Sequence, residues 1–360
     1  MKFDELLNLK TDLWTYLADT SKPIVMYGTG NGADKIIDVL NFYGIKLFGI
    51  FASDDFARGQ IFRGYTVKKY SDFKNELTDF IVLVSFATQR SEVLQNIYNI
   101  AKEQELYAPD VPVFGDGLFN IEYFTKNADR LKQVYELLGD ELSRKTFTSS
   151  LTFKLTGDIS YLLQCETTED EVNKLISGII KNKNFIDIGA YTGDTIQKYI
   201  EYFGNNSKLY AFEPDEKNFR KMLMRFEDSG IECKAYNAAA WCKTETLKFN
   251  ARSGRASSAA DFQIEEKIKE VQAVRVDEVI KDDIGLIKID AEGSDTKAIL
   301  GLSTIIKSSK PCVKVAAYHR NEDFFVIPET VSEIYKDFHL YMRHLPYVPG
   351  WDTDFIFEFK

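Results

Sequence analysis

At 360 residues, with 44% hydrophobic and 28% charged side chains, the chain has the make-up of a soluble globular protein of about two domains. Its net charge of -10 argues against nucleic acid or an anionic membrane as the main partner. The four cysteines, Cys165, Cys233, Cys242 and Cys312, form no CxxC pair, which suits buried thiols rather than a zinc site or a disulfide framework. The first ten residues carry acids and no apolar leader core, and no stretch approaches a membrane span, so a cytoplasmic protein is expected. Aromatic content is high, with 27 Phe and 19 Tyr, as core filling or a stacking site for a ring-shaped ligand would require.

Taken in order, Phe3, Leu6, Leu7, Leu13, Trp14 and Leu17 recur at helical spacing, predicting one amphipathic helix over residues 3–19. A short strand (24–27), a glycine turn and a helix to about Tyr43 follow. The turn reads G-x-G-x-x-A as Gly28, Gly30 and Ala33, and the next strand ends at Asp54-Asp55, where a ribose-binding acid sits in a dinucleotide fold. Strands at 81–87 and 111–114 flank a helix over 89–104, giving a small α/β domain of about four strands, residues 1–117. Two readings stay open for it: a nucleotide, NAD or nucleotide-sugar pocket at Gly28–Ala33, or a degenerate Rossmann-like scaffold that docks the rest of the chain. Residues 118–182 carry helical periodicity and read as a connector. Its basic LSRKTF run (142–147) is read as a solvated helix face, or as a reach toward a substrate anion.

From residue 183 to 360 strands and helices alternate completely. Strands are expected at 185–189, 208–213, 232–240, 285–290 and 311–319, with further pieces at 339–344 and 354–359. A Ser-rich loop (Ser253, Ser257, Ser258) precedes VQAVRVDEVI, and a helix over 295–306 follows the fourth strand. Such a doubly wound sheet binds its ligand outside the strands' carboxyl ends. Polar residues collect there: Asp187, Tyr191, Asp194 and Thr195 after the first strand, Glu213 after the second, Asn237 on the third, Asp290 and Glu292 after the fourth, His319 after the fifth. Gly189 is read as making the sharp turn, and Gly193 as letting a ligand approach the backbone. Glu213 stands where an acid can accept both hydroxyls of an adenosine ribose. Acids at Asp187 and Asp194 would repel a pyrophosphate but suit an ammonium and a sulfonium, which favours S-adenosylmethionine over NAD.

The segments FIDIGAYTGDT (185–195), AFEPD (211–215), NAAAW (237–241), RVDEVI (275–280) and above all IKIDAEGSDTKAILG (287–301) resemble the FkbM-type S-adenosylmethionine-dependent methyltransferases. AAYHRNEDFFVIPE (316–329) and LYMRH are similar to a subgroup with Tyr-His after strand five, and the first domain is similar to the small Rossmann-like domains of bacterial sugar-modifying enzymes. The resemblance implies a class I methyltransferase-like doubly wound sheet, preceded by a smaller Rossmann-like α/β domain and a helical connector. It implies O-methylation of a sugar, glycan or related small-molecule hydroxyl. Asp187, Gly189, Tyr191, Gly193, Asp194 and Thr195 would cradle the methionine part, Glu213 the ribose, and Asn237-Ala238 the adenine edge. The acidic final segment DTDFIFEF departs from the apolar closing strand usual there. For the proton, His319 is the first candidate base, since histidine titrates near neutrality. Asp290 and Glu292 are the alternatives, as bases or as ligands of a divalent metal, which is possible but not required. His344 is a further candidate for the same pocket. The runner-up functions are a nucleotide-sugar or NAD-dependent protein acting through Gly28–Ala33, and a non-enzymatic binding protein.

Overall fold

The computed structural model describes residues 3–54, 56–115, 117–250 and 268–360. It holds two large sheets. The first is built from β1 (Ile24–Tyr27), β2 (Leu47–Ala52), β3 (Ile61–Phe62), β4 (Tyr65–Lys69), β5 (Ile81–Val84) and β6 (Glu105–Tyr107), in the order β3-β4-β2-β1-β5-β6. Every pair is parallel except β3 with β4. Helices α1 (Phe3–Leu6), α2 (Leu13–Asp19), α3 (Asn31–Phe42), α4 (Tyr70–Glu76) and α5 (Ser91–Glu103) belong to this half of the chain. Helices α6 (Ile121–Leu137), α7 (Glu141–Thr156), α8 (Ser160–Leu163) and α9 (Glu169–Ile179) lead to the second sheet.

That sheet contains β7 (Phe185–Ile188), β8 (Leu209–Phe212) and β9 (Lys234–Tyr236), a separate three-stranded sheet of β10 (Ala239–Trp241), β11 (Glu245–Asn250) and β12 (Ile268–Arg275) intervenes, and β13 (Leu286–Ile289), β14 (Cys312–Ala316), β15 (Phe338–His344) and β16 (Thr353–Phe359) complete it. Its order is β15-β16-β14-β13-β7-β8-β9. The strands from β14 to β9 run parallel, and β16 alone is antiparallel to its two neighbours. Helices α10 (Asp194–Phe203), α11 (Glu216–Ser229), α12 (Val276–Val279), α13 (Asp295–Gly301), α14 (Ser303–Ser309) and α15 (Asp323–Ile334) pack around it. This is the class I methyltransferase-like doubly wound arrangement expected, behind a smaller α/β unit. Among the described residues no helix is long and apolar enough to cross a membrane.

Several elements differ from the sequence reading, each for a physical reason. The helix expected over 3–19 is two pieces, because Phe3 and Leu6 bury in the core of the second sheet whereas Leu13, Trp14 and Leu17 bury against the first. Asp12 caps the second piece by accepting from Thr15 N at 2.9 Å. Residues 111–114 form no strand; their carbonyls at Pro112 and Val113 accept from Lys35 Nζ at 2.7 and 3.0 Å instead. The third strand divides, since β9 belongs to the main sheet and β10 pairs with β12. The helix after the fourth strand breaks at Leu302 into α13 and α14.

Helix α7 is solvated only at its start, where Leu142 and Lys145 are exposed. Phe147, Leu151 and Leu155 join the core of the second sheet while Phe153 joins that of the first, so the helix is enclosed on both sides. Of the basic residues in the LSRKTF run, Arg144 is tied to Glu141 and to the Leu138 carbonyl, and Lys145 is exposed; beyond the run, Lys154 is buried and reaches Asp110 at 2.7 Å. The acidic closing segment is matched inside the sheet: Asp354 on β16 pairs with Lys314 on β14 at 2.9 Å. All four cysteines are free thiols, Cys165 and Cys312 buried. Asp55 and the loop holding Ser253, Ser257 and Ser258 lie outside the described residues.

Candidate active site

The carboxyl ends of β7, β8, β13 and β14 bring the nominated acids together. After β7 the chain turns through Gly189 at φ 75°, Tyr191 at 49° and Gly193 at 79°, the last opening α10. A Cβ on Gly189 would lie 1.9 Å from the Asp290 carbonyl, so this turn is pressed directly against the loop after β13. Gly193 serves packing rather than a ligand's approach: its missing Cβ faces Phe226 at 2.6 Å and Met222 at 3.0 Å on α11. Tyr191 is half exposed at the turn, Asp194 is exposed as the first residue of α10, and Thr195 is half-buried beside it.

Asp187 lies beneath the turn, not in the cleft. It is 0% exposed, and neither carboxylate oxygen has a hydrogen-bond partner. Its counter-charge is Lys288, the register neighbour on β13, at 3.4 Å. Burial pushes the Asp187 carboxyl up, with Lys288 opposing. The same ammonium donates to the Gly189 carbonyl at 3.2 Å and lies 3.6 Å from Asp290. Lys288 thus ties the floor of the turn to the loop after β13. Its signal in the sequence is a lysine inside the apolar strand LIKI.

Glu213, at the end of β8 and 6% exposed, accepts from Tyr191 N at 2.8 Å with one carboxylate oxygen and from Asp215 N at 2.7 Å with the other. Each oxygen keeps a lone pair for a further donor. Burial raises its pKa, and the two backbone bonds counteract this. Asn237 donates to the Glu213 carbonyl at 2.9 Å, and Ala238 is buried, so both hold the acid's strand end in place.

On the other side of the turn stands a chain of three groups. His319 is 1% exposed, with Nε2 at 3.1 Å from Asp290 and Nδ1 at 3.0 Å from Asp295. Burial works against charging the imidazole, but the bonds to Asp290 and Asp295 outweigh it and hold its pKa well above the ordinary value. Burial likewise opposes ionisation of Asp290, yet Lys288 and His319 keep it well below the usual carboxylate range. Near neutral pH this is an imidazolium clamped between two carboxylates. Against the nomination of His319 as general base stands this geometry: both ring nitrogens are engaged by carboxylates, and the same pair favours the protonated ring. Glu292, at φ 49°, reaches only to 3.9 Å from His319 Nε2.

Asp295 was not anticipated. As the first residue of α13 it accepts from Ala291 N at 2.8 Å, Gly293 N at 3.2 Å and His319 Nδ1, so it shapes the loop and orients the ring at once. Asp295, His319 and Asp323 bring ligand atoms within 4.8 Å of one another, the only metal-ligand group found among the described residues, and it does not contain the Asp290 and Glu292 pair nominated from the sequence. Asp323 accepts from Arg320 N at 2.7 Å, so this trio is satisfied by the protein's own donors. His344 is elsewhere: it is fully buried, bonds Thr353 through Nδ1 at 2.8 Å, and burial lowers its pKa to about 4.

The first glycine turn has no such company. A Cβ on Gly28 would meet Phe86 at 2.4 Å, and one on Gly32 would meet the Ser85 carbonyl at 2.2 Å; only Gly30 has open space. Asp34, in the first turn of α3, is paired with Arg63 at 2.6 Å.

Residues 187–349 match the model of the methyltransferase FkbM domain. The chain is similar in structure to a methyltransferase FkbM from Methylobacillus flagellatus KT, with a TM-score of 0.70 and 18% identity over 94% of this chain and 90% of that one. It also matches, at a TM-score of 0.34 and 11% identity in each case, an rRNA methylase from Streptococcus thermophilus over 53% of this chain and 96% of that one, and a precorrin-6y C5,15-methyltransferase from Geobacter metallireducens GS-15 over 53% and 88%. No curated protein sequence matches it. Over residues 187–349, somewhat under half of its length, the chain is thus similar to the methyltransferase FkbM domain.

Proposed function

We propose that the chain is an S-adenosylmethionine-dependent O-methyltransferase whose acceptor is a hydroxyl of a sugar, glycan or related small molecule. The observation that carries the reading is the acidic rim of the glycine turn. Asp194, Glu213, Asp290 and Glu292 border it, while the lysine nearest them, Lys288, is held below by Asp187. Such a rim repels a pyrophosphate and favours a ligand bearing an ammonium and a sulfonium. The lone pairs left on Glu213 suit two ribose hydroxyls. The turn through Gly189, Tyr191 and Gly193 with Asp194 and Thr195 would hold the methionine part, and Asn237-Ala238 the adenine edge. Asp187 supports this cradle from beneath through Lys288.

S-adenosylmethionine, when bound, supplies an electrophilic methyl group. The chain's own work is alignment and proton removal. Asp290 remains ionised and accepts a hydrogen bond from the acceptor hydroxyl, which fixes the direction of the attacking lone pair. As the new O–C bond forms, the hydroxyl proton becomes strongly acidic, so a carboxylate of low proton affinity is an adequate acceptor for it. His319 holds Asp290 in place, and Asp295 holds His319.

Calorimetric titration with S-adenosylhomocysteine, NAD and UDP-glucose tests the reading. S-adenosylhomocysteine binds at one site per chain and the other two do not. Asp290→Asn keeps that binding within a few-fold while losing methyl transfer to a panel of glycan acceptors. Absence of S-adenosylhomocysteine binding by the folded wild-type chain overturns the proposal.

A further inference from the structure

Residues 111–115 follow the carboxyl edge of the first sheet after β6 and lie against His319 and the loop after β13. Phe114 N donates to the His319 carbonyl at 3.0 Å. Its ring meets the imidazole edge-on, with centroids 6.1 Å apart and planes at 68°. A Cβ on Gly293, which sits at φ 82°, would come within 3.1 Å of Phe114 Cβ, so the ring packs closely on the loop after β13. Around it, Arg320 Nε donates to the Gly293 carbonyl at 2.9 Å, and Asn321 donates to the Gly117 carbonyl at 3.3 Å. Lys35 on α3 holds the start of the segment. A second contact brings the same edge to the same place: Thr88, after β5, exchanges backbone hydrogen bonds of 2.8 and 3.1 Å with Val348. Val348 belongs to the loop whose Trp351 stacks on Tyr318, and the Tyr318 hydroxyl lies 3.4 Å from Asp290.

We infer that Phe114 is a positioning residue of the methyl-transfer centre, contributed by the N-terminal half of the chain: it seals His319 from water and fixes the ring between Asp290 and Asp295. The inference deepens the proposed function, since it gives His319 and Asp290 their setting, and rests on that reading for its meaning. Physically, an edge-on aromatic ring restricts rotation of the imidazole. It also removes the water that would compete for the two imidazole–carboxylate bonds, which are stronger in a dry surrounding. The N-terminal half then matters to the reaction even with no ligand at Gly28–Ala33.

The test uses the full chain with Phe114→Ala and Phe114→Leu. Each variant is checked for its melting temperature and for S-adenosylhomocysteine affinity, expected within about twofold of wild type. Deuterium exchange at the histidine C2 position, which proceeds from the protonated ring and is read by peptide mass spectrometry, tests the inference directly. His319 in Phe114→Ala exchanges at least about tenfold faster than in wild type, while His344, buried in another part of the fold, stays protected; Phe114→Leu restores most of the protection of His319. A folded Phe114→Ala chain in which His319 stays as protected as in wild type overturns the inference. So does equal exposure of His344, which would mean general loosening. Should wild type fail to bind S-adenosylhomocysteine, the proposed function falls, while the protection of His319 still decides the role of Phe114.

Discussion

Replacing Lys288 by methionine keeps the bulk of the side chain and removes one charge, leaving Asp187 alone in a site with no exposed surface. At 3.4 Å and an effective dielectric of about 20, two unit charges attract by roughly 5 kcal/mol. Breaking a buried pair by deleting one partner costs about 3–5 kcal/mol, whereas removing both is often close to neutral. The expectation is therefore a loss of about 3–5 kcal/mol for Lys288→Met at pH 8 in urea unfolding. The loss should be within about 1.5 kcal/mol of zero for the double variant Asp187→Asn, Lys288→Met. The pH dependence follows from the sign of the Asp187 shift. Its carboxyl is already pushed up by burial, and loses its main opposing charge in the variant. A carboxyl with a raised folded pKa contributes most below its unfolded pKa, and its contribution is lost as pH rises through the folded value. Lys288→Met should thus recover much of its stability as pH is lowered from 8 to 5, and more than the wild type gains over the same range, because Lys288 opposes the upward shift in the wild type. A cost under about 1 kcal/mol at pH 8, or a double variant no more stable than the single one, would refute the assignment of this pair as the floor of the turn.

Glu213→Gln keeps the shape but offers one acceptor oxygen where the turn uses two, so S-adenosylhomocysteine affinity should fall about 10- to 100-fold by calorimetry, the range of one or two hydrogen bonds to a charged group. Unchanged affinity would remove Glu213 from the cofactor site. Asp323 is 3% exposed, and burial first and Asp295 second push its pKa from 3.8 up to about 7. Its share of stability is present below pH 4 and is lost as pH rises to 7, by at most about 4 kcal/mol, so Asp323→Asn should be more stable than wild type above pH 7 and should flatten the pH dependence of unfolding over that range.

The order of strands from 185 onward, and the gathering of acids at their carboxyl ends, were legible because each buried strand is an apolar run closed by a polar residue. FIDI, LYAF and LIKI show this without any tertiary knowledge. The roles of the gathered residues were not legible. His319 reads as a free base in sequence because its two partners come from 24 and 29 residues away and arrive only through the register of β13 and β14. Asp187 reads as a ligand-facing acid because sequence cannot show that its pleat position turns it under the turn toward Lys288. The helix over 3–19 was misread because periodicity reports that a face is buried, not that two halves of it bury in different cores. Phe114 was placed in a strand because VPVF has strand composition; what fixes it is a backbone bond to His319, some 200 residues downstream.

The two glycine turns then separate on grounds other than glycine. Gly28 and Gly32 accommodate Phe86 and Ser85; Gly189 and Gly193 accommodate the Asp290 carbonyl and Phe226. In both turns most of the glycines answer to the protein's own packing, so their number and spacing say little about a ligand. What differs is what the close approach delivers. At Gly28 the neighbour is an aromatic ring and a serine, and the acid of the first turn, Asp34, is already paired with Arg63. At Gly189 the neighbour is the backbone of Asp290 itself, so the missing Cβ is what lets the loop carrying Asp290 and Glu292 stand beside the loop carrying Tyr191 and Asp194. Any side chain at 189 would push these two acidic loops apart, and under the proposed function it would also lengthen the distance between a donor at Glu213 and an acceptor at Asp290. Under the proposed function Gly189 therefore serves the site through the contact it permits between the loops after β7 and β13, with no contact to the ligand required.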